Sequence, residues 1–173
     1  MMTALERIRS AKIHNEAEGY LELGLAQQAL ECLGRLGDPA RFEVQTLYLW
    51  GEGLRAMERY FEALAPLERA AKAAPEDVRV RMALSWCYKR TGRLDLAIAA
   101  LREALAADPR EPVLHYNLAC YLSLVGQRRA SLASLAEALR LDPAFAKLVD
   151  DEPDFDPLRA DPEFQALCRR VAG

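Results

Sequence analysis

Pro75, Pro109 and Pro143 stand 34 residues apart, and the residues before them repeat at the same interval. Ala70, Ala104 and Ala138 recur at one offset, Leu67, Leu101 and Leu135 at a second, and Ala63, Ala97 and Ser131 at a third. Gly92 and Gly126 share a fourth, and Leu84 and Leu118 a fifth, where Trp50 stands one period earlier. A fixed period of this length makes the repeat the unit of structure. Such a unit cannot bury its apolar face alone and must stack on its neighbours.

Each period holds two apolar stripes at helical spacing, broken at Gly92 or Gly126. Alanine, leucine, glutamate and arginine dominate, all good helix formers, and no alternating run suggests a strand. The fold class is therefore all-α, with each unit a helix, a tight turn and a second helix. The pattern predicts helices over 4–23, 25–36, 39–57, 60–73, 76–91, 94–107, 111–125 and 128–141, then shorter ones near 144–150, 155–159 and 162–171. Thr3 with Glu6 reads as a capping box opening the first helix. Asp38-Pro39, Asp108-Pro109, Asp142-Pro143 and Asp161-Pro162 each read as an N-cap before a helix-starting proline. Small residues (Gly51, Ser85, Ala119, Ala63, Ala97) mark where paired helices approach closely, and Trp50, Leu84 and Leu118 fill the gaps beside them.

The set Leu84-Ser85-x-x-Tyr88, Gly92, Ala97, Leu101, Ala104 and Pro109 resembles the tetratricopeptide repeat. Trp50-Gly51 with Leu54, Ala63, Leu67, Ala70 and Pro75 repeats the pattern, as does Leu118-Ala119 with Leu122, Gly126, Leu135, Ala138 and Pro143. One period earlier Ala17, Tyr20, Gly24, Ala29 and Leu33 still match, but Glu16 replaces the large apolar residue and no proline closes the unit. The resemblance implies a right-handed α-solenoid of helix-turn-helix repeats with a C-terminal helical cap. The whole chain, 1–173, then forms a single domain. It holds a degenerate repeat over 10–43, full repeats over 44–77, 78–111 and 112–145, and a capping segment over 146–173. Phe155, Leu158, Phe164 and Leu167 supply the cap's apolar cover. With YNLACYLSLVG at 116–126, this segment resembles the closing module of some bacterial tetratricopeptide-repeat proteins.

Composition narrows the function. A net charge of -3, with basic and acidic residues well mixed, lacks the basic excess of a nucleic-acid binder or an electrostatic membrane anchor. MMTALERIRSAK has no apolar core of a secretory signal, and no run approaches a membrane span. Cys32, Cys87, Cys120 and Cys168 form no CxxC pair and read as reduced, buried thiols of a cytoplasmic protein. No nucleophile elbow, phosphate loop or metal-ligand spacing appears, so no catalytic residue, metal or cofactor is assigned. His14 and His115 read as surface or packing residues. The acidic run Asp150, Asp151, Glu152, Asp154 and Asp156 reads as a solvated loop of the cap.

The resemblance further implies that first helices line a concave groove. Leu84 and Tyr88 pack the first helix, so a different stripe faces the groove: Arg79, Met82, Trp86 and Lys89. One period earlier that stripe is Gln45, Tyr48, Glu52 and Arg55, and one period later Val113, Tyr116, Cys120 and Ser123. Asn117 matches a groove asparagine common in the family. The expected partner-binding set is thus Tyr48, Glu52, Arg55, Arg79, Met82, Trp86, Lys89, Tyr116, Asn117 and Cys120. Large aromatic side chains on such a surface suit recognition of a protein or peptide segment. Glu18, Glu22 and Glu52 stand toward one end and Arg79, Lys89 and Arg90 toward the other, which fits a partner with an apolar centre and unlike charged ends. The family's carboxylate clamp is not expected, because its places hold His14, Glu18, Leu49, Arg79 and Ala83. The alternative function is self-assembly into a homo-oligomeric structural subunit.

Overall fold

The computed structural model describes residues 3–172 as helices joined by short turns. Met1, Met2 and Gly173, which the sequence reading places at the ends of the array, lie outside the described residues. Helix α1 spans Ala4–Glu22, α2 Ala26–Gly34, α3 Val44–Ala56, α4 Tyr60–Ala73 and α5 Val78–Arg90. Helix α6 spans Leu94–Ala107, α7 Pro112–Leu124, α8 Arg128–Leu141, α9 Ala146–Val149 and α10 Pro162–Ala172. Turns of 3-10 helix lie at Pro39–Arg41, Pro143–Phe145 and Pro153–Leu158, and no strand occurs among the described residues. The fold is all-α, as the period predicts. The chain forms two compact units, one through Thr91 and one from Gly92 onward.

In the first unit α1 packs on α2 and α3 on α4, with α5 against α4, so the first helices α1, α3 and α5 are neighbours. The repeated small positions are where helices touch. A methyl group at Gly51 would stand 2.5 Å from Leu67 Cγ, and one at Gly53 would stand 2.7 Å from Leu30 Cδ2. Ala63, Leu67 and Ala70 of α4 are fully buried in the same core as Leu84 and Cys87 of α5. Trp50 is only half-buried, against Phe42 at 5.5 Å between ring centroids.

In the second unit α6 packs on α7 and α7 on α8, and the Pro153–Leu158 turn lies against α7. Ser131 takes the place of the small alanine, and its hydroxyl donates to the Ala119 carbonyl at 2.7 Å, so the polar atom is satisfied where the two helices meet. Helix α7 is buried on nearly every side, including Leu114, Tyr116 and residues 118–123. Phe155, Leu158 and Phe164 are buried as the reading of the cap expects, whereas Leu167 is half-buried. Asp161 caps α10 through the Glu163 and Phe164 amides and also grips the Arg128 guanidinium of α8. Arg128, with the capping bonds, holds the Asp161 carboxyl down at about 2.

Helix boundaries depart from the reading in three places. The helix expected over 39–57 splits into a 3-10 turn and α3, because Asp38 closes a tight turn onto the Ala40 amide at 2.9 Å and Glu43 is extended. The Asp108-Pro109 pair does not start a helix: Asp108 accepts from the Arg110 amide in a turn, and α7 begins at Pro112 behind Glu111. The helix expected from 76 begins instead at Val78, because Asp77 caps α5, its carboxylate accepting from the Arg79 and Val80 amides. The Thr3–Glu6 capping box forms as read.

The turn between paired helices needs a left-handed residue. Gly24, Gly92 and Gly126 adopt φ of +72°, +77° and +74°, and the position one period after Gly24 is Glu58 at +59°. A side chain there costs free energy that glycine avoids. Glu58→Gly is expected to raise stability by about 0.5–1 kcal/mol, and Gly24→Ala to lower it by about 1 kcal/mol, read as opposite shifts of the urea midpoint. A lowered midpoint for Glu58→Gly would show that strain does not govern this turn. Gly51→Ala is expected to cost about 1–3 kcal/mol through overpacking against Leu67. In a Leu67→Ala background the same change should cost much less, as a double-mutant cycle would reveal. Equal costs in both backgrounds would rule out the contact.

Candidate functional site

Helices α3 and α5 present matching residues one period apart on one face of the first unit, and the structure joins them into a network. The Arg79 guanidinium stands 5.0 Å from the Tyr48 ring centre and donates to Asp77 at 2.9 Å and to Gln45 Oε1 at 3.3 Å. Gln45 in turn donates to Glu18 Oε1 at 2.7 Å. A polar chain therefore runs from α1 across α3 to α5. Asp77 does double duty as α5's cap and Arg79's partner, so its carboxyl lies below the ordinary carboxylate range, chiefly through Arg79.

Trp86 forms the centre of the other half. Arg55 binds Glu52 through two bonds of 2.8 Å, and its guanidinium carbon lies 5.2 Å from the Trp86 ring centre. Arg90 lies 5.5 Å from Trp86 and 5.0 Å from Tyr60, and the Tyr60 ring meets Trp86 edge-on at 5.3 Å. Each cation–ring contact is worth about 0.5–1 kcal/mol at exposed sites, so two of them hold the indole in place. Tyr48, Met82, Trp86 and Lys89 are half-buried, Glu52 and Arg55 likewise, and Arg79 is exposed. Burial, with Glu52 nearby, pushes the Tyr48 phenol up, so it stays neutral.

Seven of the ten expected partner-binding residues thus share one face of the first unit: Tyr48, Glu52, Arg55, Arg79, Met82, Trp86 and Lys89. The remaining three, Tyr116, Asn117 and Cys120, lie in the second unit, where the expectation is corrected for Tyr116 and Cys120. Tyr116 is only 5 % exposed and packs on Phe145 at 5.0 Å and on Phe155 at 5.8 Å. Cys120, one turn further, is also buried, as is Ser123. The capping segment occupies this side of α7, so Tyr116 and Cys120 serve the cap's core. Asn117 is half-buried. The sequence reading omitted Tyr60, because it opens a second helix and its counterparts Leu94 and Arg128 are not aromatic.

Other singled-out residues fall into packing. The buried His14 imidazole shares a 2.8 Å hydrogen bond with the Thr46 hydroxyl. His115 contacts the Pro109 carbonyl at 2.8 Å. Cys32, Cys87 and Cys120 are buried free thiols and Cys168 is half-buried, with burial raising Cys87 to about 11. The acidic loop is not wholly solvated: Asp154 is buried, and Arg159 donates to the Asp150 and Glu152 carbonyls.

The geometry has counterparts among known proteins. Residues 48–112, spanning α3 to the start of α7, match the family described as tetratricopeptide repeat. That stretch carries the tetratricopeptide-repeat signature. Solved structures of MamA share the fold. The chain superposes on MamA from AMB-1 with a TM-score of 0.74 at 22 % identity, covering 95 % of this chain and 99 % of that one. For MamA from MSR-1 the values are 0.75 and 20 %, over 95 % and 97 %. For residues 41-end of MamA from Desulfovibrio magneticus RS-1 they are 0.73 and 19 %, over 93 % and 94 %. A search of curated proteins finds no match. Tetratricopeptide repeats are a protein-interaction architecture, and among the described residues no helix is long and apolar enough to cross a membrane.

One titration follows from this geometry. Burial lowers the His14 pKa below its usual value, with Glu43 and Glu18 acting the other way. The unfolded chain therefore takes up a proton first as pH falls through about 6.5, and the folded state loses stability there. Urea midpoints at pH 7.5 and 5.5 should differ more in the natural protein than in His14→Gln. An identical difference in both would remove His14 from the linkage.

Proposed function

We propose that the α3–α5 face is a docking surface for a partner protein, and that the chain acts as an interaction scaffold. The observation that carries this reading is the Trp86 cluster. A large aromatic side chain is held half-open, with two guanidiniums on it and Tyr48 and Met82 on the same stripe. Rigid aromatic and arginine side chains are the residue types that dominate binding energy at protein interfaces. A complementary segment lays an apolar side chain on Trp86 and Met82, offers carboxylates to Arg79 and Arg90, and places a basic end toward Glu18 and Glu22. No step of this reading uses a catalytic group, metal or cofactor.

Peptides selected from a random display library against the whole chain provide the test. In a Trp50→Phe background, Trp86 emission should shift on binding. Trp86→Ala should weaken the selected peptides by about 2 kcal/mol or more, the scale of an interface hot spot. Arg102→Ala, an exposed change on α6, should leave affinity intact. Peptides whose affinity survives Trp86→Ala would place the docking surface elsewhere.

A further inference from the structure

We propose that a cavity at the shortened end of α2 binds a small organic anion, a carboxylate or phosphate carried on an apolar body. The second helices α4, α6 and α8 each run 14 residues, whereas α2 runs 9. The chain leaves α2 at Arg35, turns through Gly37 at φ +100°, and reaches α3 only at Val44. Beside the segment that follows α2, a cavity of about 360 Å3 opens among α1, residues 35–43 and the start of α3. That volume is in the range of small-molecule sites.

The lining is built for an oxyanion with an apolar neighbour. Arg9, Arg35 and Arg41 all reach it. Glu16, the residue that breaks the repeat pattern, fixes Arg35 through contacts of 3.0 and 3.2 Å, and Arg9 donates to the Arg35 carbonyl at 3.2 Å. Arg41 makes no ion pair among the described residues, and its planar fork suits a carboxylate or phosphate. Two carboxylates also line the cavity, Glu6 and Glu43, but Glu6 is already engaged by the Thr3 amide at 2.6 Å. Glu43 is the N-cap residue of α3 but its side chain accepts no capping bond, so the first-turn amides of a 13-residue helix are left to add to the three guanidiniums. Leu36 and Phe42 supply the apolar wall, and the Thr46 hydroxyl, held by His14, lies at the inner side. The cavity shares no residue with the α3–α5 face.

Isothermal titration of the whole chain with benzoate and with phenyl phosphate tests this assignment, with benzyl alcohol and sodium chloride as controls. Saturable binding of at least one of the two anions is expected, with none for the controls, and the tighter anion identifies the headgroup. Arg41→Gln should weaken that binding at least about tenfold while leaving the urea midpoint unchanged, because a lost charge-assisted bidentate contact is worth about that much. Arg9→Gln serves as the second variant, and Trp86→Ala should have no effect. The proposal is overturned if neither anion saturates, if benzyl alcohol binds equally well, or if both arginine variants bind like the natural protein.

Discussion

The contact on which the first unit depends is the one between Gly51 and Leu67. Two helices lie so close there that even a methyl group on Gly51 would enter the leucine side chain. Dispersion and apolar burial are short-ranged, so stacking helix on helix rewards such close approach and punishes any gap. Once α3 and α4 are locked at this distance, Ala63, Leu67 and Ala70 disappear into the interior, and the opposite stripe of α3 is left for other work. The second unit solves the same problem at Ala119, with a serine whose hydroxyl is satisfied by the carbonyl it meets.

The division of labour between faces follows. Packing consumes the positions that repeat most faithfully, while Tyr48, Glu52, Met82 and Trp86 vary from one period to the next. Variation on a fixed lattice is how a repeat architecture acquires individuality without disturbing its core. In the first unit the varied stripe is knitted by guanidinium–ring contacts and a relay of hydrogen bonds from Glu18 to Arg79. In the second unit the equivalent stripe is apolar enough to receive Phe145 and Phe155, and the chain's own cap covers it.

Much of this was legible in the sequence because periodicity reports backbone geometry. The positions at Ala70, Ala104 and Ala138, and at Leu67, Leu101 and Leu135, are all buried to within 1 %. The seven residues on α3 and α5 could be grouped on one face because helical spacing fixes which side chains lie together. What escaped was local or non-periodic. Asp108 and Asp38 look like helix caps, yet an Asp-Pro pair satisfies a tight turn equally well, and only the chain's later path decides. Tyr116 was misplaced because the period assigns its face but says nothing of the aperiodic segment that returns to cover it. Glu16 reads as decay of the motif, and only the fold reveals its partner Arg35.

The burial of α7 sets a rule for how such an array can lengthen. Its stripe through Tyr116 is sealed by Phe145 and Phe155, so that stripe is closed to another copy of the helix. Duplication of a 34-residue segment upstream of Pro112 leaves that seal intact. The same duplication placed after Leu141 would strip the aromatic lid from Tyr116 and expose an apolar helix to water. Growth by gene duplication is thereby polarised, open on one side of α7 and closed on the other.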